Sequence, residues 1–303
     1  MLKHVRQIVS KVVQVGRSTV EIWLRAQAFV YAGSLAFFTI FSLAPIALVA
    51  VTLIGLVFGE RAAQGELLSQ LEIYMGSNAA EVVQTVISNS ALKQGGILTI
   101  VAGIGAMLFG ATTVFAQLQT SLNSIWGVAP KSTQSGWRVY LIRRLLSLSV
   151  VLGIGLVLLL SMGLSLGVRL FMTWTQDWLP GQEMLMLGAD WLLSLIVMSA
   201  LFAAIFKILP DVILPWRYVL VGAVATALMF IVGRSMILTY LSRSETHSAY
   251  GAAGSLVLLL LWVYYSSLIL FAGAALTRAL AQLKNVRIEP RKSATHVVRE
   301  LAS

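Results

Sequence analysis

The sequence predicts an all-α membrane protein: a bundle of six transmembrane helices with both termini in the cytosol. Three observations lead there. The 303 residues are 58% hydrophobic and only 11% charged, whereas a soluble domain carries about 25% charged residues. Six apolar stretches approach or exceed the ~20 residues needed to cross ~30 Å of hydrocarbon, and a segment in lipid must bond its own backbone amides, so each should be a helix. The basic residues between these stretches alternate in density, which orients the chain.

Taken in order, residues 1–27 read as a cytosolic amphipathic helix. Val5, Val9, Val12, Gly16, Val20 and Trp23 follow a helical stripe, with Lys3, Arg6, Lys11, Arg17 and Arg25 largely off it. Such a helix can lie on an anionic leaflet or pack as an ordinary cytosolic helix on the bundle, and periodicity does not separate the two. The segment lacks a short apolar core followed by a small-residue cleavage site, so it does not read as a signal peptide. The membrane domain, 28–283, then begins with a first span over about Phe29–Gly59, where Pro45 removes a backbone donor and predicts a kink.

Residues 60–95 are too long for a bare connection. Apolar residues at helical spacing predict two short periplasmic amphipathic helices near Gly65–Met75 and Ala79–Ser90. The second span, about Gly96–Trp126, starts apolar and ends polar with Gln117, Gln119 and Asn123. The third covers about Leu141–Met172. The fourth covers about Met184–Leu209 and stops at Pro210; the fifth covers about Tyr218–Leu241. The sixth, about Ala249–Leu283, is the longest unbroken apolar run and leads into a basic cytosolic tail, 284–303.

Charge sets the orientation. Of 22 Lys and Arg, 17 fall in the N-terminal segment, 127–144, 207–217 and 278–303, and five fall in the alternate connections. The positive-inside rule puts the first group in the cytosol. The net charge of +10 is then explained by topology and by contact with anionic lipid head groups, and nucleic acid is not expected as a partner.

Chemistry is sparsely written. The chain has no cysteine, which excludes disulfides and thiolate catalysis. His4, His247 and His296 lack ligand spacing, so neither metal nor cofactor is expected. The Gly-x-Ser-x-Gly string at Gly163-Leu-Ser165-Leu-Gly167 falls inside an expected span rather than on a strand-to-helix turn, so it does not read as a nucleophile elbow, and no catalytic residue is predicted. Gly55-xxx-Gly59 and Gly163-xxx-Gly167 permit close helix approach. Of the charges near span ends, Lys207 and Arg278 follow the positive-inside rule, Arg234 can snorkel or face a cavity, and Asp190 can cap span four or pair with Arg234. Ser42, Pro45, Asn123, Ser124, Tyr250, Tyr264 and Tyr265 are candidates to line a polar cavity, each with a helix–helix hydrogen bond or an interfacial place as the plainer reading.

The blocks Tyr31-Ala-Gly-Ser-Leu-Ala-Phe-Phe-Thr-Ile-Phe-Ser-Leu-Ala-Pro45, Leu118-Gln-Thr-Ser-Leu-Asn123-Ser-Ile-Trp126 and Leu209-Pro210-Asp-Val-Ile-Leu-Pro-Trp216-Arg217 resemble the YihY/BrkB family of bacterial inner-membrane proteins. So do Tyr250-Gly251-Ala-Ala-Gly254-Ser, Leu261-Trp262-Val-Tyr264-Tyr265 and Phe271-Ala-Gly273-Ala-Ala, the last approaching Arg278. The resemblance implies a multi-pass inner-membrane envelope protein, linked in this family to serum resistance and to transport of lipids or other envelope components. It also brings a ribonuclease BN label, which this sequence disfavours because metal-dependent RNA hydrolysis needs clustered His, Asp or Glu. The family commonly has a glutamate where this chain has Ala275. The expected function is therefore a transporter or lipid translocator without catalysis, with a structural or assembly protein as the alternative. The substrate would be a lipid or small molecule; the oligomeric state is left open. A cytosol-active reporter fused after Ser303 should be active, and a periplasm-active one silent.

Overall fold

The computed structural model describes residues 2–40, 42, 64–65, 68–69, 71–72, 77–88, 113–131, 182–243, 254–286 and 288–297. Pro45, Tyr250, Gly251, the third span and the two Gly-xxx-Gly motifs lie outside them. The described part is mostly helical, with short strands at one end. The helices are α1 (Leu2–Arg25), α2 (Ala28–Ile40), α3 (Ser77–Ser88), α4 (113–126), α5 (Gln182–Ile208), α6 (Trp216–Arg243) and α7 (Gly254–Leu283). α5 packs on α6, α6 on α7, and α7 also receives α1 and α3, so α7 is the hub of the described helices.

Among the described residues three helices are long and apolar enough to cross a membrane: Trp191–Ile208, Trp216–Ile237 and Leu256–Leu283. α6 shows why water cannot be their solvent. Val219, Ala223, Ala227 and Phe230 are buried on one side, while Leu220, Val224, Leu228 and Val232 stand exposed at four-residue spacing, with Val221, Met229 and Met236 beside them. Burying such a side chain is worth ~1.5–3 kcal/mol, so leaving this half-exposed stripe in water would cost on the order of 5–10 kcal/mol, comparable with the whole stability of a domain. Hydrocarbon removes that cost. The expected first and second spans are represented by α2, a shorter apolar helix, and by α4, the polar end.

Helix ends follow local chemistry. α1 and α2 are separated at Ala26–Gln27, where Gln27 takes φ 58° and its carbonyl accepts from the amides of Val30 and Tyr31. α4 ends at Gly127, φ 69°, whose amide reaches Ser124 O at 3.1 Å; glycine is the residue best able to occupy that left-handed cap. α5 ends before Pro210, which disfavours helix at the preceding residue. α7 ends in a Schellman motif, with Asn285 at φ 52°, Asn285 N donating to Gln282 O and Val286 N to Ala281 O.

α6 and α7 run antiparallel with their backbones nearly touching. The seam is reciprocal: Gly222 faces Thr277, and Gly273 faces Thr226. A Cβ added at Gly222 would lie 1.8 Å from Thr277 Oγ1, and one at Gly273 would lie 1.9 Å from Thr226 Oγ1. Each threonine hydroxyl donates to the glycine carbonyl four residues earlier on its own helix, Thr226 to Gly222 O at 2.6 Å and Thr277 to Gly273 O at 2.8 Å. The hydroxyls are thereby satisfied without water inside a contact that only glycine permits. Farther along, Gly233 lies under the Tyr265 hydroxyl, 2.2 Å from where a Cβ would sit. This close approach by small residues is the packing available to helices that gain nothing from excluding water from one another.

The sequence reading does not anticipate strands. β1 (Val128–Pro130) pairs antiparallel with β4 (Ala294–His296), and β2 (Val212–Ile213) pairs antiparallel with β3 (Glu289–Pro290). The C-terminal segment, expected as a plain basic tail after residue 283, thus carries two strands, tied to the segments that follow α4 and α5. Backbone hydrogen bonds offered by those segments recruit it.

Gly222→Val and Gly273→Val should each lower the thermal midpoint of the detergent-purified protein, with a cost of ~1–3 kcal/mol or more from overpacking. Thr226→Ala combined with Gly273→Ala should recover part of the loss seen with Gly273→Ala alone, read by the same unfolding assay.

Candidate functional site

The polar groups gather where α4, the loop after α5 and the C-terminal segment meet. Asn123, on the last turn of α4, is buried. Its Nδ2 donates to Asp211 Oδ2 at 2.9 Å, and its Oδ1 accepts from the Asp211 amide at 2.8 Å. One side chain therefore reads both the backbone and the carboxylate of Asp211. Gln119, one turn earlier on the same helix face, places Nε2 at 3.5 Å from both carboxylate oxygens. The Asp211 carbonyl accepts from Arg291 N at 2.9 Å. Asp211, 6% exposed, is thus held by amides.

Arg278, one residue past the Gly–Thr seam on α7, is a half-buried charge at the same end. Its guanidinium donates to Ile125 O and packs over Gly127, where a Cβ would stand 3.3 Å from a guanidinium nitrogen. The Ile125 carbonyl is one of the last four of α4, which have no partner within the helix and carry its negative dipole end. The left-handed turn at Gly127 provides the space. Among the described residues neither Asp211 nor Arg278 has an oppositely charged partner within salt-bridge distance; the Arg17–Glu21 pair, at 3.0 Å, is exposed on α1. A carboxylate held by amides and a guanidinium held by a helix end are charges stabilised by fixed dipoles.

Two further contacts close this end. Lys207 donates to Leu214 O and stands 5.3 Å over the Trp216 ring, bracing the turn from α5 to α6. Arg291 donates through a terminal guanidinium nitrogen to Lys207 O at 3.2 Å, fastening the C-terminal segment to the same turn. Ser124 Oγ approaches Ala26 O at 3.5 Å, so the α1–α2 joint belongs to this end too. The described parts of the four segments that the charge count assigns to one side meet at a single end of the molecule.

Of the sequence candidates, Asn123, Trp126, Pro210 and Arg278 come together here. Trp126 is 1% exposed, and its indole N–H has no acceptor among the described residues. Pro210 is buried beside Asp211, and Arg217 is exposed in the first turn of α6. A second group lies along α6 and α7. Trp262 meets Phe230 edge-on at 6.1 Å, Phe230 meets Phe202 of α5 at 5.9 Å, and Tyr265 and Gly273 take part in the seam. Tyr264 is half-buried against the same core. Ser42 is buried and donates to Phe38 O at 2.9 Å. Arg234 is half-buried near the far end of the α6 span, and Gly254 opens α7. Neither joins Asn123 and Arg278. Ala275, where a family glutamate is common, is fully buried.

Asp211, Gly222, Thr226, Thr277 and Gly127 were not singled out from sequence. The signals were present: two Gly-xxx-Thr pairs in consecutive spans, a glycine closing a polar helix, and an acid directly after the proline that ends α5.

These features define an integral membrane protein with an apolar, lipid-facing exterior and a hydrogen-bonded polar cluster, around buried Asp211, at one end. Residues 19–297 match the Virulence factor BrkB family, and the chain belongs to that family. It is 29% identical to a UPF0761 membrane protein of Nitrosospira multiformis over 254 residues, 82% of this chain and 57% of that protein. It is 24% identical to a putative ribonuclease-like protein, YfkH, of Bacillus subtilis, over 83% of this chain and 90% of that protein. A UPF0761 membrane protein of Photobacterium profundum is 28% identical over 84% of this chain and 76% of its own length. The chain thus spans little more than half of the Nitrosospira relative but nearly all of the Bacillus one. No solved structure matches.

Asn123→Leu should strip two hydrogen bonds from buried Asp211 and cost ~3 kcal/mol or more, since an unsatisfied buried charged group exceeds the usual 1–3 kcal/mol. Asp211→Asn, which preserves the shape, should cost less. Thermal unfolding of both variants in one detergent checks the order.

Proposed function

We propose that this chain is a non-enzymatic, six-span inner-membrane protein, kinked in its first span and cytosolic at both termini, that translocates a lipid or other envelope component. The four joined segments form its cytosolic gate. The observation that supports this most is the paired placement of Asp211 and Arg278: one buried and one half-buried charge at one mouth of the bundle, each held by neutral dipoles. Charges withdrawn from water are costly unless they are held by partners, and dipole-held sites at helix ends recur where transporters handle polar cargo. Arrangements of this kind can exchange protein dipoles for a ligand's polar groups without first breaking a salt bridge.

A structural or assembly role is the second reading, favoured by the glycine-tight α6–α7 seam, which leaves no space for cargo there. The name of the Bacillus relative raises a third, ribonuclease activity.

Reconstitution separates them. Proteoliposomes holding the full chain should expose an inner-leaflet fluorescent phospholipid to external dithionite faster than empty vesicles, and Asn123→Ala should change that rate severalfold. Protein that moves neither lipid probes nor solutes counts for the structural role. RNA cleavage that requires a divalent metal counts for the nuclease.

A further inference from the structure

α1 has three faces. Val15, Thr19 and Ile22 are half-buried, and α1 packs against α7. At about 100° per residue, a second line sits about 125° around the helix: Val9, Val12, Val13, Val20 and Leu24, each more than half exposed. A third line, about 100° farther on, carries the polar residues Ser10, Gln14, Arg17 and Glu21. Ordinary amphipathicity explains the first and third. It does not explain an apolar line that the bundle leaves uncovered.

We infer that α1 is a membrane-interface helix, with its valine line sunk in the acyl region of the cytosolic leaflet and Arg6 beside it on anionic lipid head groups. Three observations commit the face to lipid. It is continuous with lipid-facing surface: past the joint at Ala26–Gln27 the exposed side of α2 resumes with Phe29, Val30 and Phe37. The joint itself carries an aromatic corner, Trp23 against Phe29 at 4.6 Å with a 63° interplanar angle, the residue class that favours the head-group layer. The order of faces around the helix also fits that plane: bundle on one side, hydrocarbon next, then water, with Arg6 at the border between apolar and polar lines where long cationic side chains snorkel. Arg17, on the polar line, pairs with Glu21, which leaves exposed Arg6 as the cation beside the valine line. The inference does not depend on whether the protein transports anything.

The chain has no cysteine, so single introduced cysteines report position directly. Full-length Val9→Cys, Val13→Cys and Val20→Cys, and Ser10→Cys and Gln14→Cys as controls, are labelled with an environment-sensitive fluorophore and reconstituted in vesicles of phosphatidylethanolamine and phosphatidylglycerol. The valine-line labels should be severalfold less accessible to iodide than the controls and should be quenched by doxyl groups on lipid acyl chains. Equal iodide quenching of both sets overturns the inference. So does shielding without doxyl quenching, which would mean that protein, such as a second copy of this chain, covers the face. Replacing phosphatidylglycerol by phosphatidylcholine should raise iodide access to the valine line, and Arg6→Gln should reproduce that change; no response to either sinks the head-group half of the proposal.

Discussion

The carboxamide of Asn123 is the contact on which the arrangement of this molecule turns. It joins a helix from the first half of the chain to a loop from the second, and it does so by satisfying a backbone amide and a carboxylate at once. Within a bilayer, apolar side chains cannot tell helices how to assemble, because lipid tails serve them equally well. Specific polar contacts and close backbone approach remain. The molecule uses both and separates them: directional hydrogen bonds at one end, and interlocked glycines and threonines along the span.

The two devices are mechanically linked. Thr277 belongs to the seam and Arg278, its neighbour, belongs to the polar end. A rotation of α7 that withdraws Arg278 from the end of α4 must also drag Thr277 across Gly222, where there is no spare room. The seam therefore restricts α7 to motions shared with α6, and rearrangement at the polar end is expected to move the two helices as a pair. The exposed apolar flank of α6 faces fluid lipid, which resists such motion little.

Much of this was legible in the sequence. The membrane class, the ends of the helices α5 and α6 to within about two residues, the amphipathic first helix and the short helix near 79–90 follow from hydrophobic length, period and proline. The co-location of four cation-rich segments follows from charge counting, because opposite sides of a bilayer could not have met. The strands were not legible: the pairing segments are two or three residues long, and their partners lie far away in sequence, so no local periodicity marks them. The partner of Asn123 was hidden for a related reason. A polar residue near a helix end has many possible neighbours in a chain, and only the tertiary fold selects one. The Gly-xxx-Thr pairs were hidden among 24 glycines, where chance spacing is common.

The C-terminal strands bear on biosynthesis. A ribosome delivers residues 289–296 after every helix they fasten, so β1 waits for its partner through the synthesis of α5, α6 and α7, and β2 through that of α6 and α7. The polar end can close only once those later helices have entered the bilayer, and the nascent protein carries unpaired β edges until then. Closure of that end is in effect the final stitch, one that a chain interrupted in α7 could never make.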